Sequence, residues 1–174
     1  MQASTMAPPD SGPTTKSDSR SGKYLAFLLG REEFAIQVLK VREIMGIQDI
    51  TAVPQTPAFV KGVINLRGKV IPVVDLRLKF GLPEVEYTPR TCIIVVQIKA
   101  PEGGLSLTGL VVDEVSEAVN IGAAEIEDTP DFGDGVSTPY ILGMAKGKGK
   151  VKILLDIDRV LQAQELDGIK ALMQ

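Results

Sequence analysis

Apolar residues in this chain come in short bursts rich in Val, Ile and Leu, separated by glycine, proline and charge. Tyr24–Leu29 and Glu33–Gln37 flank the turn Gly30–Glu32 and predict a first hairpin. Val63–Asn65 and Val70–Val74 flank Leu66-Arg67-Gly68-Lys69 and predict a second, with Arg67 at its tip and Gly68 supplying the positive φ of a tight turn. Asp75 then caps a short helix, which Gly81 and Pro83 end after Phe80. Thr91–Lys99 is apolar on both faces, as in a central strand, and Leu105–Asp113 pairs back onto it. Glu114–Ile121 alternates with period two. Ile141–Ala145 and Val151–Leu155 flank the turn Lys146–Lys150. Asp156 caps a last helix with Ile157, Val160 and Leu161 on one face, extended by Leu166, Ile169, Leu172 and Met173. Val38, Val41, Ile44 and Met45 fall at helical spacing before Gly46, so a short helix is predicted there, with a continued strand as the alternative. Ile47–Val53 reads as an irregular strand and Ala123–Asp134 as an acidic loop. Met1–Gly22 holds no Leu, Ile, Val or aromatic residue and predicts a disordered tail.

The pattern occurs twice. A shift of 81 residues carries Gly62–Phe80 onto Gly143–Leu161 without a gap, placing Gly68 on Gly149, Lys69 on Lys150 and Asp75 on Asp156. A shift of 74 carries Ala35, Ile36, Val38, Val41 and Glu43 onto Gly109, Leu110, Val112, Val115 and Glu117. Two copies are too few for a solenoid and point to a duplicated domain. Many short strands with regular turns predict a mainly β fold of two small five-stranded barrels. The polar segment Glu84–Arg90 marks the expected boundary: a first barrel mainly over 23–83, a second mainly over 91–155, and a helix from 156.

Composition narrows the function. The 174 residues suffice for one sizeable core or two joined ones. A net charge of −3 gives no electrostatic reason to expect nucleic acid or an anionic membrane. No window approaches the roughly 18 unbroken apolar residues of a membrane helix. With no histidine and one cysteine, Cys92, the chain lacks His-based triads, HExxH sites and thiolate zinc sites. No catalytic, cofactor or metal residue is expected. The single cysteine fits a reduced, cytoplasmic setting.

The carboxylates read as structural. Capping accounts for Asp75 and Asp156, and no phosphate-cradling loop accompanies Asp113-Glu114 or Asp156 with Asp158. The KGKGK run, Lys146–Lys150, lacks the Ser/Thr of a P-loop and reads as a solvated tip. Arg67 stands apart because the copies differ there, the second carrying Lys148. It is either a solvated arginine or a partner contact. Among alternatives, a small RNA-binding barrel is opposed by the charge and by aromatics at only 5%. A metal-dependent hydrolase has no supporting spacing.

Five stretches, VLKVREIM, TPAFVKGVINLRGKVIPVVDLRLKFG, LTGLVVDEVSEAV, YILGMAK and KILLDIDRVL, resemble the CheW family of chemotaxis coupling proteins, over roughly Lys23 to Leu166. Residues 167–174 are then an extension. The resemblance implies two SH3-like five-stranded barrels and a non-enzymatic adaptor. That adaptor joins the helical cytoplasmic tips of chemoreceptors (methyl-accepting chemotaxis proteins) to the regulatory domain of the histidine kinase CheA. By position it implies receptor contacts at Val41, Glu43, Gly62, Ile64, Leu66, Arg67 and Val115. It further implies no cofactor, no nucleic acid, no membrane insertion, a monomer in isolation, and recruitment from the cytoplasm to receptor arrays. The same reading allows a scaffold serving another chemosensory pathway.

Overall fold

The computed structural model describes residues 19–100, 103–133, 138–147 and 149–162. Among the described residues, eleven strands form two sheets. In chain order they are β1 (Gly22–Leu29), β2 (Glu32–Gln37), β3 (Val41–Gly46), β4 (Val60–Leu66), β5 (Lys69–Asp75), β6 (Cys92–Lys99), β7 (Leu105–Val112), β8 (Glu114–Ile121), β9 (Ile126–Glu127), β10 (Ile141–Gly147) and β11 (Lys150–Leu155). Two short helices, α1 (Leu76–Lys79) and α2 (Ile157–Gln162), follow β5 and β11. Barrel one has the order β9-β10-β11-β2-β1-β8, and barrel two β3-β6-β7-β5-β4. The mainly β, double-barrel architecture is the expected one, with the two-residue β9 as a sixth strand in barrel one.

The expected boundary is wrong, because the barrels are interleaved. The β1–β2 hairpin belongs to barrel one, but the chain then supplies β3–β7 to barrel two before returning with β8–β11. Each sequence repeat thus gives its hairpin to one barrel and its remaining strands to the other. Chain length at the crossovers explains this. β8 lies antiparallel to β1, and β6 antiparallel to β7. Were β8 instead to join the far side of β6, it would run parallel to β7. The chain would have to travel back along the whole strand, roughly 25 Å at about 3.3 Å per residue. Only Asp113 separates β7 from β8, so the chain continues into the neighbouring barrel. The 3-10 turn Val38–Lys40 makes the same crossing between β2 and β3.

The segment predicted as a helix over Val38–Met45 is that turn followed by strand β3. Pairing with β6 gives Val41 and Ile44 the extended backbone that β-branched residues favour, and burial alternates along the strand. The irregular strand expected over Ile47–Val53 reduces to a bridge between Thr51 and Val63.

Period-two burial divides the core into three layers. On β1, Tyr24 and Ala26 point into barrel one, while Leu25 and Phe27 face a central layer. On β6, Ile93 and Val95 point into barrel two, while Ile94 and Val96 join the same central layer. This double burial is why β6 reads as an unbroken apolar run. Leu76 and Phe80 from the α1 region and Ile157 and Val160 from α2 close the central layer. A ladder of rings runs through it, Phe27–Phe34–Phe80–Tyr140, with centroids 6.1, 5.7 and 6.3 Å apart.

The duplication holds in hydrogen-bond detail. Val73 pairs with Gly109 and Val74 with Leu110; their counterparts pair likewise, Leu154 with Ala35 and Leu155 with Ile36. Asp75 N donates to Phe59 O and Asp156 N to Tyr140 O, both at 2.8 Å. The chain after β3 returns through Thr51 to Val63, and the chain after β8 returns through β9 to β10, so both sheets draw their edges together.

Of the expected tail, Arg20 is held on barrel one: its Nη1 donates to Leu142 O at 2.9 Å and Asp128 Oδ1 at 3.0 Å. A Cβ on Gly143 would meet that guanidinium at 2.9 Å, so the glycine makes its seat. Residues 1–18 of the tail, Lys148, Asp134 of the acidic loop and the helix extension through Leu166–Met173 lie outside the described residues, while Gly22, expected in the tail, opens β1.

Candidate functional site

The tip of the β4–β5 hairpin is a two-residue turn with φ of +50° at Arg67 and +87° at Gly68. Two positive φ values in succession match the twist of a hairpin. Asn65 Oδ1 accepts from Gly68 N at 2.7 Å and fixes the turn. The left-handed conformation costs a non-glycine residue about 1–2 kcal/mol, so Arg67 sits there against local preference. Its guanidinium grips Glu43 of β3 with two donors, Nη1 to Oε2 at 3.4 Å and Nη2 to Oε1. This side-chain hydrogen bond holds the Glu43 carboxyl below its ordinary range and raises the arginine further. Arg67 remains 71% exposed, so the pair forms a charged rim with fixed geometry.

The other residues expected at the site separate by burial. Ile64 and Leu66 are interior residues of barrel two. Gly62 is buried as well, and a Cβ there would overlap the carbonyl oxygen of Thr51. These three shape and close the barrel beneath the Arg67 tip, and Leu66 also lines the cavity beside Arg67. Val41 and Val115 are half-buried, each packed on the central layer from a different barrel. They are the same position of the two repeats, each just after a crossover.

The crossovers also carry features that the sequence reading passed over. Leu39, at the crest of the first, is 95% exposed. Beside it, Lys40 Nζ meets Asp158 Oδ2 of α2 at 2.6 Å, and Asp158 Oδ1 accepts from Lys99 N at 2.9 Å. Burial pushes the Asp158 carboxyl up, but Lys40 and the Lys99 amide outweigh it and hold it below its ordinary range. At the second crossover, Arg77 Nη1 of α1 meets Asp113 Oδ2 at 2.7 Å, and that oxygen also accepts from Gly30 N at 2.7 Å. A shift of 81 places Arg77 on Asp158, so opposite charges at matched positions were the available signal.

Asp75 and Asp156 act as caps, accepting from Leu78 N and Arg159 N. Among the described residues no cluster of acids, cysteine or histidine could hold a metal ion. No described helix is long and apolar enough to cross a membrane. Lys146 of the KGKGK turn pairs with Glu127.

Known proteins match nearly the whole described chain. The family model for the CheW-like domain matches residues 23–165. The chemotaxis protein CheW of Klebsiella aerogenes is 38% identical over 144 residues, covering 83% of this chain and 84% of that protein. The chemotaxis protein CheW of Rhizobium meliloti is 36% identical, covering 84% and 91%. The crystal structure of the scaffolding protein TtCheW from Thermoanaerobacter tengcongensis superposes with a TM-score of 0.72 at 32% identity, covering 85% of this chain and 95% of that one.

Proposed function

Since the chain belongs to the family of CheW-like domains, we propose that it is a non-enzymatic adaptor coupling chemoreceptors to a histidine kinase in chemotaxis. It seats the helical cytoplasmic tip of a chemoreceptor and joins it to the regulatory domain of CheA. The observation that carries this reading is the Arg67–Glu43 rim. An arginine held in a left-handed turn, doubly bonded yet largely exposed, is a preset recognition group. Apolar contact by Val41 and Val115 supplies affinity for the apolar face of a helix, and the charged rim fixes its register. Gly62, Ile64 and Leu66 act indirectly, by holding the tip. The protein works as a monomer and is recruited to membrane arrays through its receptor partner.

Arg67→Ala tests the assignment. The reading predicts that it weakens binding to a receptor cytoplasmic fragment by about tenfold or more, the scale of one lost interfacial charge contact. Binding to the CheA regulatory domain should stay within about twofold, titrated side by side. Unchanged receptor binding would remove Arg67 from the contact surface.

A further inference from the structure

The two crossovers are held by matched clamps of reversed polarity. Each clamp ties three points: a short helix, a crossover and the turn end of a hairpin. In one, the helix supplies the cation Arg77, and the crossover acid Asp113 takes both the guanidinium and the amide of Gly30. In the other, the helix supplies the acid Asp158, which takes both the crossover ammonium of Lys40 and the amide of Lys99. Gly30 and Lys99 are matched positions, at the ends of β1 and β6. Both helices are anchored in the central layer, through Leu76 on α1 and Ile157 and Val160 on α2. The helical members are largely covered, 13% exposed for Arg77 and 14% for Asp158.

We infer that these clamps position the receptor-facing residues: Asp158 through Lys40 sets Val41, and Arg77 through Asp113 sets Val115. The inference rests on the adaptor reading. Val38 packs on the central layer, but Leu39 is exposed and Gln37 gives no side-chain cap. Beyond that packing and the pairing of Val41 with Val96, the ion pair to α2 is the polar tether of this crossover. On the other side Val115 follows Asp113 by two residues. Neither Asp158 nor Arg77 needs to touch a receptor; each acts through the crossover it holds. The clamps also pin each crossing segment to the helix of the opposite repeat. The spacing of Val41 and Val115 thus becomes a property of the ion pairs as well as of the core.

The test is a double-mutant cycle on the full chain, read against both partners. Asp158→Asn keeps an acceptor for Lys99 N and loses the charge that holds Lys40. Lys40→Gln breaks the same pair from the other end. Each single change is expected to weaken binding to a receptor cytoplasmic fragment by about fivefold, with the double variant no worse than the weaker single. Binding to the CheA regulatory domain stays within about twofold. Arg77→Gln gives the same split through the second crossover. Receptor binding that is unchanged in the single variants, losses that multiply in the double variant, or equal losses toward both partners would overturn the inference. A wild-type chain that fails to bind the receptor fragment would overturn the adaptor reading itself, and this inference with it.

Discussion

The two barrels share strand order and register but end differently. In barrel two Leu66, Ile71 and Leu107 pack into the mouth, and the cavity left there, lined by Leu66 and Leu107, measures about 320 Å³. The matched positions in barrel one are Gly147, Lys152 and Glu33, and there the mouth opens into a cavity of about 610 Å³, rimmed by Glu117 and Lys150. Deeper in, the lining is alike: Tyr24, Ala26, Ile121 and Leu154 stand where Ile93, Val95, Ile47 and Val73 stand. One barrel therefore spends its mouth on packing that supports an exposed arginine. The other replaces that packing with an ion pair, Lys152 to Glu33 at 3.5 Å. Duplication fixed the backbone, and the side chains at the two mouths then diverged in purpose.

Moving the ion pair from one mouth to the other is the severest change. Ile71→Lys puts an ammonium at a buried position of the apolar mouth without a carboxylate and is expected to cost about 3–5 kcal/mol in urea unfolding. Adding Leu107→Glu, which recreates the Glu33–Lys152 pair, should recover part of that loss. No recovery would mean that the mouths are not interchangeable. A smaller contrast comes from the matched glycines. Gly62→Ala drives a Cβ into the Thr51 backbone at a φ of +139° and is expected to cost about 3 kcal/mol. Gly143→Ala meets the carbonyl of Glu127 and the movable Arg20 side chain and should cost less than half as much. Equal costs would show that the Glu127 carbonyl and the Arg20 side chain do not yield together.

The smallest effect concerns the caps. Asp75 is 3% exposed, and burial pushes its carboxyl up despite the bonds from Leu78 and Arg77 amides. The folded chain then holds the Asp75 proton more tightly than the unfolded chain. Its contribution to stability falls as pH rises from the ordinary carboxylate value through the raised one. Asparagine keeps the cap and removes that fall. Asp75→Asn should therefore match or exceed wild type in urea midpoint at pH 7, by up to about 1 kcal/mol, and lose the advantage near pH 4. A lower midpoint at pH 7 would show that the buried charge is net stabilising.

The strands, the hairpin tip and the Asp caps were legible because each is set by neighbours along the chain. The interleaving was not. Sequence similarity tells which segments are alike, and says nothing about which edge a strand joins. The single residue between β7 and β8 held the answer, since it leaves no length for a return. The inward position of two expected contact residues has a related cause. In a strand, Ile64 and Leu66 alternate with Asn65, so two of the residues flanking the tip had to face inward once Arg67 faced out. The clamps went unread because their partners are distant in sequence, Lys40 with Asp158 and Arg77 with Asp113.

The most direct measurement is kinase activation in receptor-containing membranes with CheA, with and without this protein. Wild type is expected to raise CheA phosphorylation clearly, and Arg67→Ala to give no rise even though that variant still binds CheA. A wild-type protein that binds both partners and leaves phosphorylation unchanged would overturn the adaptor role, and would place the same fold in a different pathway.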